Sequence, residues 1–159
     1  AVLEAALKAK GHDVAIENAG VSGDTATGGL ERLDWSVPDG TDAVLVELGA
    51  NDALRGIDPK ITEVALDSIL ARLKARNIRV LLAGMYAPRN NGEAYTKAFD
   101  AIYPRLAAKH GVPLYPFFLD GVQGDAALNL SDGMHPNPKG VRVIVERILP
   151  KVEALIRGE

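Results

Sequence analysis

The pattern Asp132-Gly133-Met134-His135-Pro136 puts an aspartate three residues ahead of a histidine. In a loop, that spacing lets the carboxylate engage one imidazole nitrogen and leaves the other facing a substrate or a nucleophile. This is the base-and-orienter half of a hydrolytic triad. Two further positions could stabilise the negative charge that builds on a carbonyl oxygen during acyl transfer. Gly23 lies in the turn-rich stretch Ala19-Gly20-Val21-Ser22-Gly23-Asp24-Thr25, where a glycine can expose its backbone N–H. Asn51, in Gly49-Ala50-Asn51-Asp52, offers a side-chain amide just beyond an apolar run. Taken alone, each has a structural explanation: His135 as a surface or helix-entry histidine, Gly23 as an ordinary turn glycine, Asn51 as a turn former or helix N-cap.

The elements around these residues alternate. Val2, Leu3, Ala6 and Leu7 form a helical stripe over residues 1–10, stopped by Gly11. Residues 14–17 read as a short strand, followed by the turn-rich stretch and a short helix through Leu30, Leu33 and Trp35. Residues 43–48 form a β-branched apolar run, as expected of a strand covered on both faces. Asp58-Pro59 is a helix start, an N-cap acid followed by proline at the first helical position. Ile61, Ala65, Ile69 and Leu73 then mark the buried face as far as residue 76. Residues 79–85 are another strand and 86–93 a loop. Residues 94–110 form a helix with Ala98, Ile102 and Leu106 inward, which Pro104 kinks or breaks. A strand over 112–115 precedes the apolar cluster Phe117-Phe118-Leu119 and a loop over 120–137. Asn137-Pro138 opens a last helix with Val141, Val145, Ile148, Leu149, Val152 and Leu155 inward. Such alternation predicts an α/β fold, a parallel sheet with helices on both faces. Sites in such folds lie beyond the carboxyl ends of the strands. The Gly20–Thr25, Gly49–Asp52 and Asp132–His135 clusters all follow strands.

Together the three clusters resemble the SGNH (GDSL-like) hydrolases, in particular the bacterial acyl-CoA thioesterase I, lysophospholipase L1 and arylesterase branch. Asn18-Ala19-Gly20-Val21-Ser22-Gly23-Asp24-Thr25 is similar to the family's second block and Val46-Glu47-Leu48-Gly49-Ala50-Asn51-Asp52 to its third. Asp132-Gly133-Met134-His135-Pro136-Asn137 is similar to its last, with Leu54-Arg55-Gly56 and Pro113-Leu114-Tyr115-Pro116-Phe117-Phe118 as further local matches. The resemblance covers essentially the whole chain, residues 1–159, as one hydrolase domain. It implies a three-layer α/β/α, flavodoxin-like fold, Asp132 and His135 as acid and base, Gly23 and Asn51 as oxyanion donors, and no metal or organic cofactor. The implied substrate is a small ester or thioester: aryl, short-to-medium acyl or lysophospholipid. Loops 86–93 and 119–131 would shape the acyl pocket, with Tyr86, Pro88, Phe118 and Leu119 as lining or as loop and core anchors.

The family's first block, Gly-Asp-Ser-Leu, which carries the nucleophile, does not occur in these 159 residues. The chain opens at Ala1-Val2-Leu3-Glu4, already helical in pattern and without an initiator Met, so an upstream segment is expected. By resemblance, its strand would lie between those at 14–17 and 43–48 and its serine would complete the triad. Of the serines present, Ser22 belongs to the oxyanion block and Ser131 adjoins Asp132, while Ser36 and Ser68 lie away from all three clusters.

Composition excludes several other classes. Lys and Arg (18) are outnumbered by Asp and Glu (21) and scattered, which argues against nucleic-acid binding. The absence of cysteine removes disulfides, thiolate metal sites and a cysteine nucleophile. No apolar stretch is long enough to span a bilayer. A periplasmic or secreted location follows from the resemblance alone. Three alternatives stand beside the esterase reading: a carbohydrate O-acetyl esterase on the same scaffold, a catalytically inactive fragment or binding module lacking the nucleophile, and a flavodoxin-like nucleotide binder. The last lacks a G-x-G-x-x-G phosphate loop.

Overall fold

A computed structural model describes residues Ala1–Glu159. In chain order the elements are α1 (Val2–Ala9), α2 (Ala26–Glu31), α3 (Leu33–Ser36), β1 (Ala43–Val46), α4 (Ala50–Leu54), α5 (Pro59–Ala75), β2 (Arg79–Ala83), a 3-10 turn (Arg89–Asn91), α6 (Glu93–Asp100), α7 (Ile102–His110), β3 (Leu114–Tyr115) and α8 (Pro138–Arg157).

The strands form one parallel sheet in the order β1-β2-β3, with Val44 opposite Val80 and Leu82 opposite Leu114. Residue alternation along the strands sorts the core into two layers. Val80 and Leu82 of β2, with Val46 of β1, pack on Leu66, Ile69, Leu70 and Leu73 of α5 and on Phe99, Ile102 and Leu106 of α6 and α7. Leu81, with Ala43 and Leu45, faces the other way onto Leu7 of α1 and Ile148, Leu149, Val152 and Leu155 of α8. The result is the expected three-layer α/β/α architecture.

The two proline starts form as expected. The Asp58 side chain accepts from the Lys60 N–H at the head of α5, and Asn137 accepts from Lys139 and Gly140 at the head of α8. No helix is long and apolar enough to cross a membrane.

Several expectations need correction. Residues 14–17 are not a strand: they belong to no ladder, Ile16 is partly exposed, and its N–H donates to the Glu4 carboxylate at 3.2 Å. A strand is defined by its neighbour, and β1, the only strand on that side, is hydrogen-bonded to β2 alone. The predicted helix over 94–110 breaks at Ala101 rather than at Pro104, which sits in the first turn of α7, where it costs no internal hydrogen bond. Phe99 goes inward in place of the exposed Ala98, because it shares one i, i+3, i+4, i+7 stripe with Ile102, Tyr103 and Leu106. Ile61 is also outward, at 53% exposure, because the inner face of α5 follows Ala65, Leu66, Ile69, Leu70 and Leu73.

Candidate active site

All three polar clusters lie in segments that follow β1 or precede α2 and α8. Asp132 organises its own loop. Its Oδ1 accepts from the backbone N–H of Met134 at 2.9 Å and of His135 at 3.0 Å. Its Oδ2 lies 2.6 Å from His135 Nδ1. Gly133, between them, takes φ +69°, which closes a turn in which the Gly133 N–H donates to the Leu130 carbonyl. Below the pair, the Leu130 N–H donates to the His135 carbonyl at 2.7 Å, and the Asn137 amide donates to the Ala127 and Asn129 carbonyls. One asparagine thereby caps α8 and ties down the loop in front of it.

These bonds set the electrostatics of the pair. The His135 backbone N–H, then the imidazole, then the Met134 N–H hold the Asp132 carboxyl down at about 2. A permanent carboxylate against Nδ1 selects the tautomer with the proton on that nitrogen. Nε2 is left as a base. It makes no hydrogen bond within the chain, and the imidazole side chain is 66% exposed.

The Gly23 and Asn51 region is built differently. Gly23 adopts φ +79° in a turn closed by Asp24 N–H donating to the Val21 carbonyl, and its own N–H meets no acceptor in the chain. Asn51 is the second residue of α4, a five-residue helix, so it is neither a turn former nor the N-cap, which is Gly49. The Asn51 amide has no partner in the chain and lines a cavity of about 110 Å³ with Gly20, Val21, Asp24, Glu47 and Ala50. The Arg32 guanidinium walls this cavity, bonded to Asp24 and to the Ala19 carbonyl, both at 2.6 Å. Glu47, at the end of β1, has its carboxyl pushed up by burial.

The floor of the cavity depends on one glycine. Gly49 takes φ +112°, and a Cβ there would run into the hydroxyl of Tyr103. That hydroxyl donates to the Leu48 carbonyl at 2.7 Å, and burial holds it well above the ordinary tyrosine range. Tyr103 and Gly49 thus fix the direction in which the chain leaves β1 and enters α4. No signal at residues 48–51 points to Tyr103, which is 55 residues away from its acceptor.

The structure pairs Asp132 with His135 and places Asn51 on α4, whose C-cap Arg55 bonds the Gly23 carbonyl, with no hydrogen bond between the two halves. Of the pocket candidates, Tyr86 is exposed, stacked on Phe117 at 4.6 Å with the Arg89 guanidinium 6.0 Å from its ring. Pro88 caps the 3-10 turn, and Phe118 and Leu119 pack against the core. The other histidines also meet acids, through tertiary contacts that sequence spacing does not reveal. His12 lies 2.9 Å from Glu153 and His110, nearly buried, 2.6 Å from Asp67. His12 thereby joins the segment after α1 to α8, and His110 joins α7 to α5.

Comparison with known proteins matches residues 1–143 to the GDSL-like lipase/acylhydrolase family. The esterase TesA of Pseudomonas aeruginosa is 37% identical over 157 residues, covering 98% of this chain and 78% of that protein. The thioesterase 1/protease 1/lysophospholipase L1 of Escherichia coli K12 is 41% identical over 145 residues, covering 91% of this chain and 70% of that protein. Among solved structures, a crystal structure of TesA superposes with a TM-score of 0.91 at 36% identity, covering 97% of this chain and 86% of that one.

Proposed function

This chain belongs to the GDSL-like lipase/acylhydrolase family and is a carboxylic ester hydrolase, and from that premise we propose that Asp132, His135, Gly23 and Asn51 are its working residues within one domain spanning 1–159. The observation that carries this reading is the Asp132–His135 pair, locked at 2.6 Å with Nε2 unengaged.

His135 Nε2 removes the proton of a serine hydroxyl as its oxygen attacks the ester carbonyl, and Asp132 stabilises the imidazolium that forms. The Gly23 N–H and the Asn51 amide receive the oxyanion of the tetrahedral intermediate. The proton then passes from His135 to the departing alkoxide or thiolate, leaving an acyl-enzyme. Water repeats the sequence through the same base. None of Ser22, Ser36, Ser68 and Ser131 is hydrogen-bonded to His135 Nε2; Ser36 instead accepts from Arg32. The nucleophile in this reading is a serine in a segment preceding Ala1. Small aryl or acyl esters, thioesters and lysophospholipids are the substrate class, with the exposed Tyr86 as the candidate contact for an acyl or aryl group. A periplasmic or secreted location belongs to the same reading.

The test is hydrolysis of p-nitrophenyl esters by the full-length protein. His135→Ala is expected to lower kcat by at least about 10³-fold. Hydrolysis by that variant at the unaltered rate would remove His135 from the mechanism. Cleavage of acetylated sugars with none of longer acyl esters would move the substrate to carbohydrate O-acetyl groups.

A further inference from the structure

Gly23 and Asn51 come from different segments, yet an oxyanion is held only if both donors keep their places to a fraction of an ångström. α4 supplies that coupling. Besides presenting Asn51, it grips the Gly23 turn at two points. Arg55, its C-cap, donates from its guanidinium to the Gly23 carbonyl at 2.6 Å. Asp52, the residue after Asn51 and fully buried, accepts from the Ala26 N–H at 2.9 Å, at the start of the helix that follows the turn. The second oxygen of Asp52 accepts from the Thr62 hydroxyl at 2.8 Å, which fastens the arrangement to α5. Asn91 donates to the Ala53 carbonyl of the helix at 2.8 Å, and Tyr95 to the carbonyl of Ile57, just past its end, at 2.6 Å.

We infer that Asp52 and Arg55 are positioning residues for ester hydrolysis, a clamp by which α4 carries the Gly23 turn and Asn51 as one body. The inference rests on the oxyanion roles proposed above for Gly23 and Asn51. The two grips divide the task. Asp52 anchors the far end of the turn in the core, where a buried carboxylate with two donors leaves little freedom. Arg55 acts at the surface on Gly23 itself. Holding its carbonyl restrains the rotation of a glycine at φ +79° whose own N–H is the proposed donor. A guanidinium one turn beyond Asn51 is thereby tied to the only backbone donor in the pair. Binding of the ester in its ground state does not require this alignment. Stabilisation of the tetrahedral oxyanion does, so the clamp belongs in kcat rather than KM.

Arg55 is exposed, so its replacement leaves the core intact and makes it the informative variant. In the full-length protein, Arg55→Ala is expected to lower kcat for a p-nitrophenyl ester about tenfold with KM and Tm unchanged. Arg55→Lys, which can still donate to the Gly23 carbonyl, should recover most of the loss. An Arg55→Ala variant with unaltered kcat overturns the clamp, and so does a loss that appears in KM or Tm and is not recovered by lysine. His135→Ala is assayed in parallel. If that variant is inactive while Arg55→Ala is not impaired, the clamp alone fails. If His135→Ala is active, the underlying reading of the site fails as well.

Discussion

The hydrogen bonds that shape the Asp132–His135 pair span two or three residues, whereas those that fix the Asn51 helix span from 10 residues, between Thr62 and Asp52, to 55, between Tyr103 and Leu48. The first region is a local device. An aspartate, a glycine at positive φ and a histidine three residues on produce their geometry wherever the loop is anchored, and the pair stands open to solvent. The second region is a product of the whole α5–α7 side of the molecule. Gly23 is exposed and Asn51 half-buried, and their positions are inherited from the long-range bonds of a buried carboxylate, a buried tyrosine and an arginine. Local devices tolerate change elsewhere in the fold; inherited geometry does not.

That contrast can be broken or sharpened by substitution. The largest effect is expected from Asp132→Ala, which leaves His135 without its orienter and removes the carboxylate that faces the imidazolium. Hydrolysis should fall by about 10⁴-fold, with Tm nearly unchanged because the loop is exposed and self-contained. A large drop in Tm would show that the loop is not the local device described. Asn51→Ala should cost about 10²–10³ in kcat with KM little altered, the loss typical of one oxyanion donor. Steady-state kinetics on a chromogenic ester separates the two constants.

Gly49→Ala probes the inherited side from a distance. Its Cβ would meet the Tyr103 hydroxyl at a backbone conformation that alanine rarely adopts. A loss of about 3 kcal/mol by denaturant unfolding is expected, with kcat lowered in the fraction that remains folded. The smallest effect is one of pH. The Asp132 carboxyl, lowered from 3.8 to about 2 by the His135 and Met134 N–H groups and the imidazole, ordinarily titrates higher in an unfolded chain. The order it confers on the loop is therefore fully present above about pH 4 and is lost as pH falls toward about 2. Carboxyl NMR titration should give that low midpoint, and a value near 4 would mean that the three bonds are not maintained in solution.

The same contrast explains how much of the molecule was legible in the sequence. Asp132-x-x-His135 was readable because its geometry is contained within its own spacing. The proline starts at Asp58 and Asn137 were readable for the same reason, since an N-cap acts on the residues next to it. Strands β1 and β2 were recognisable as continuous apolar runs. Residues 14–17 carry a similar short apolar pattern but form no strand, because pairing is a property of the neighbour and not of the segment. Ala98 and Phe99 exchanged places because both stand within one turn of Ile102, at four and three residues before it, and only packing decides between them; the break at Ala101 has no local mark either. Asp52 and Arg55 stood in plain view beside Asn51, but what they hold, Ala26 and Gly23, lies 26 and 32 residues away. His12 and His110 had no acid at a telling spacing, and Glu153 and Asp67 reach them only through the packing of helices.

In the proposed mechanism the two halves serve one carbonyl. The most direct test is a crystal structure of the full-length protein covalently modified by an alkyl phosphonate, whose tetrahedral phosphorus stands in for the intermediate. One phosphonyl oxygen is expected at about 2.7–3.1 Å from both the Gly23 nitrogen and the Asn51 amide nitrogen. His135 Nε2 should be turned toward the modified oxygen and still tied to Asp132 through Nδ1. An adduct whose oxygen is bound by other donors, or one remote from His135, would contradict that mechanism.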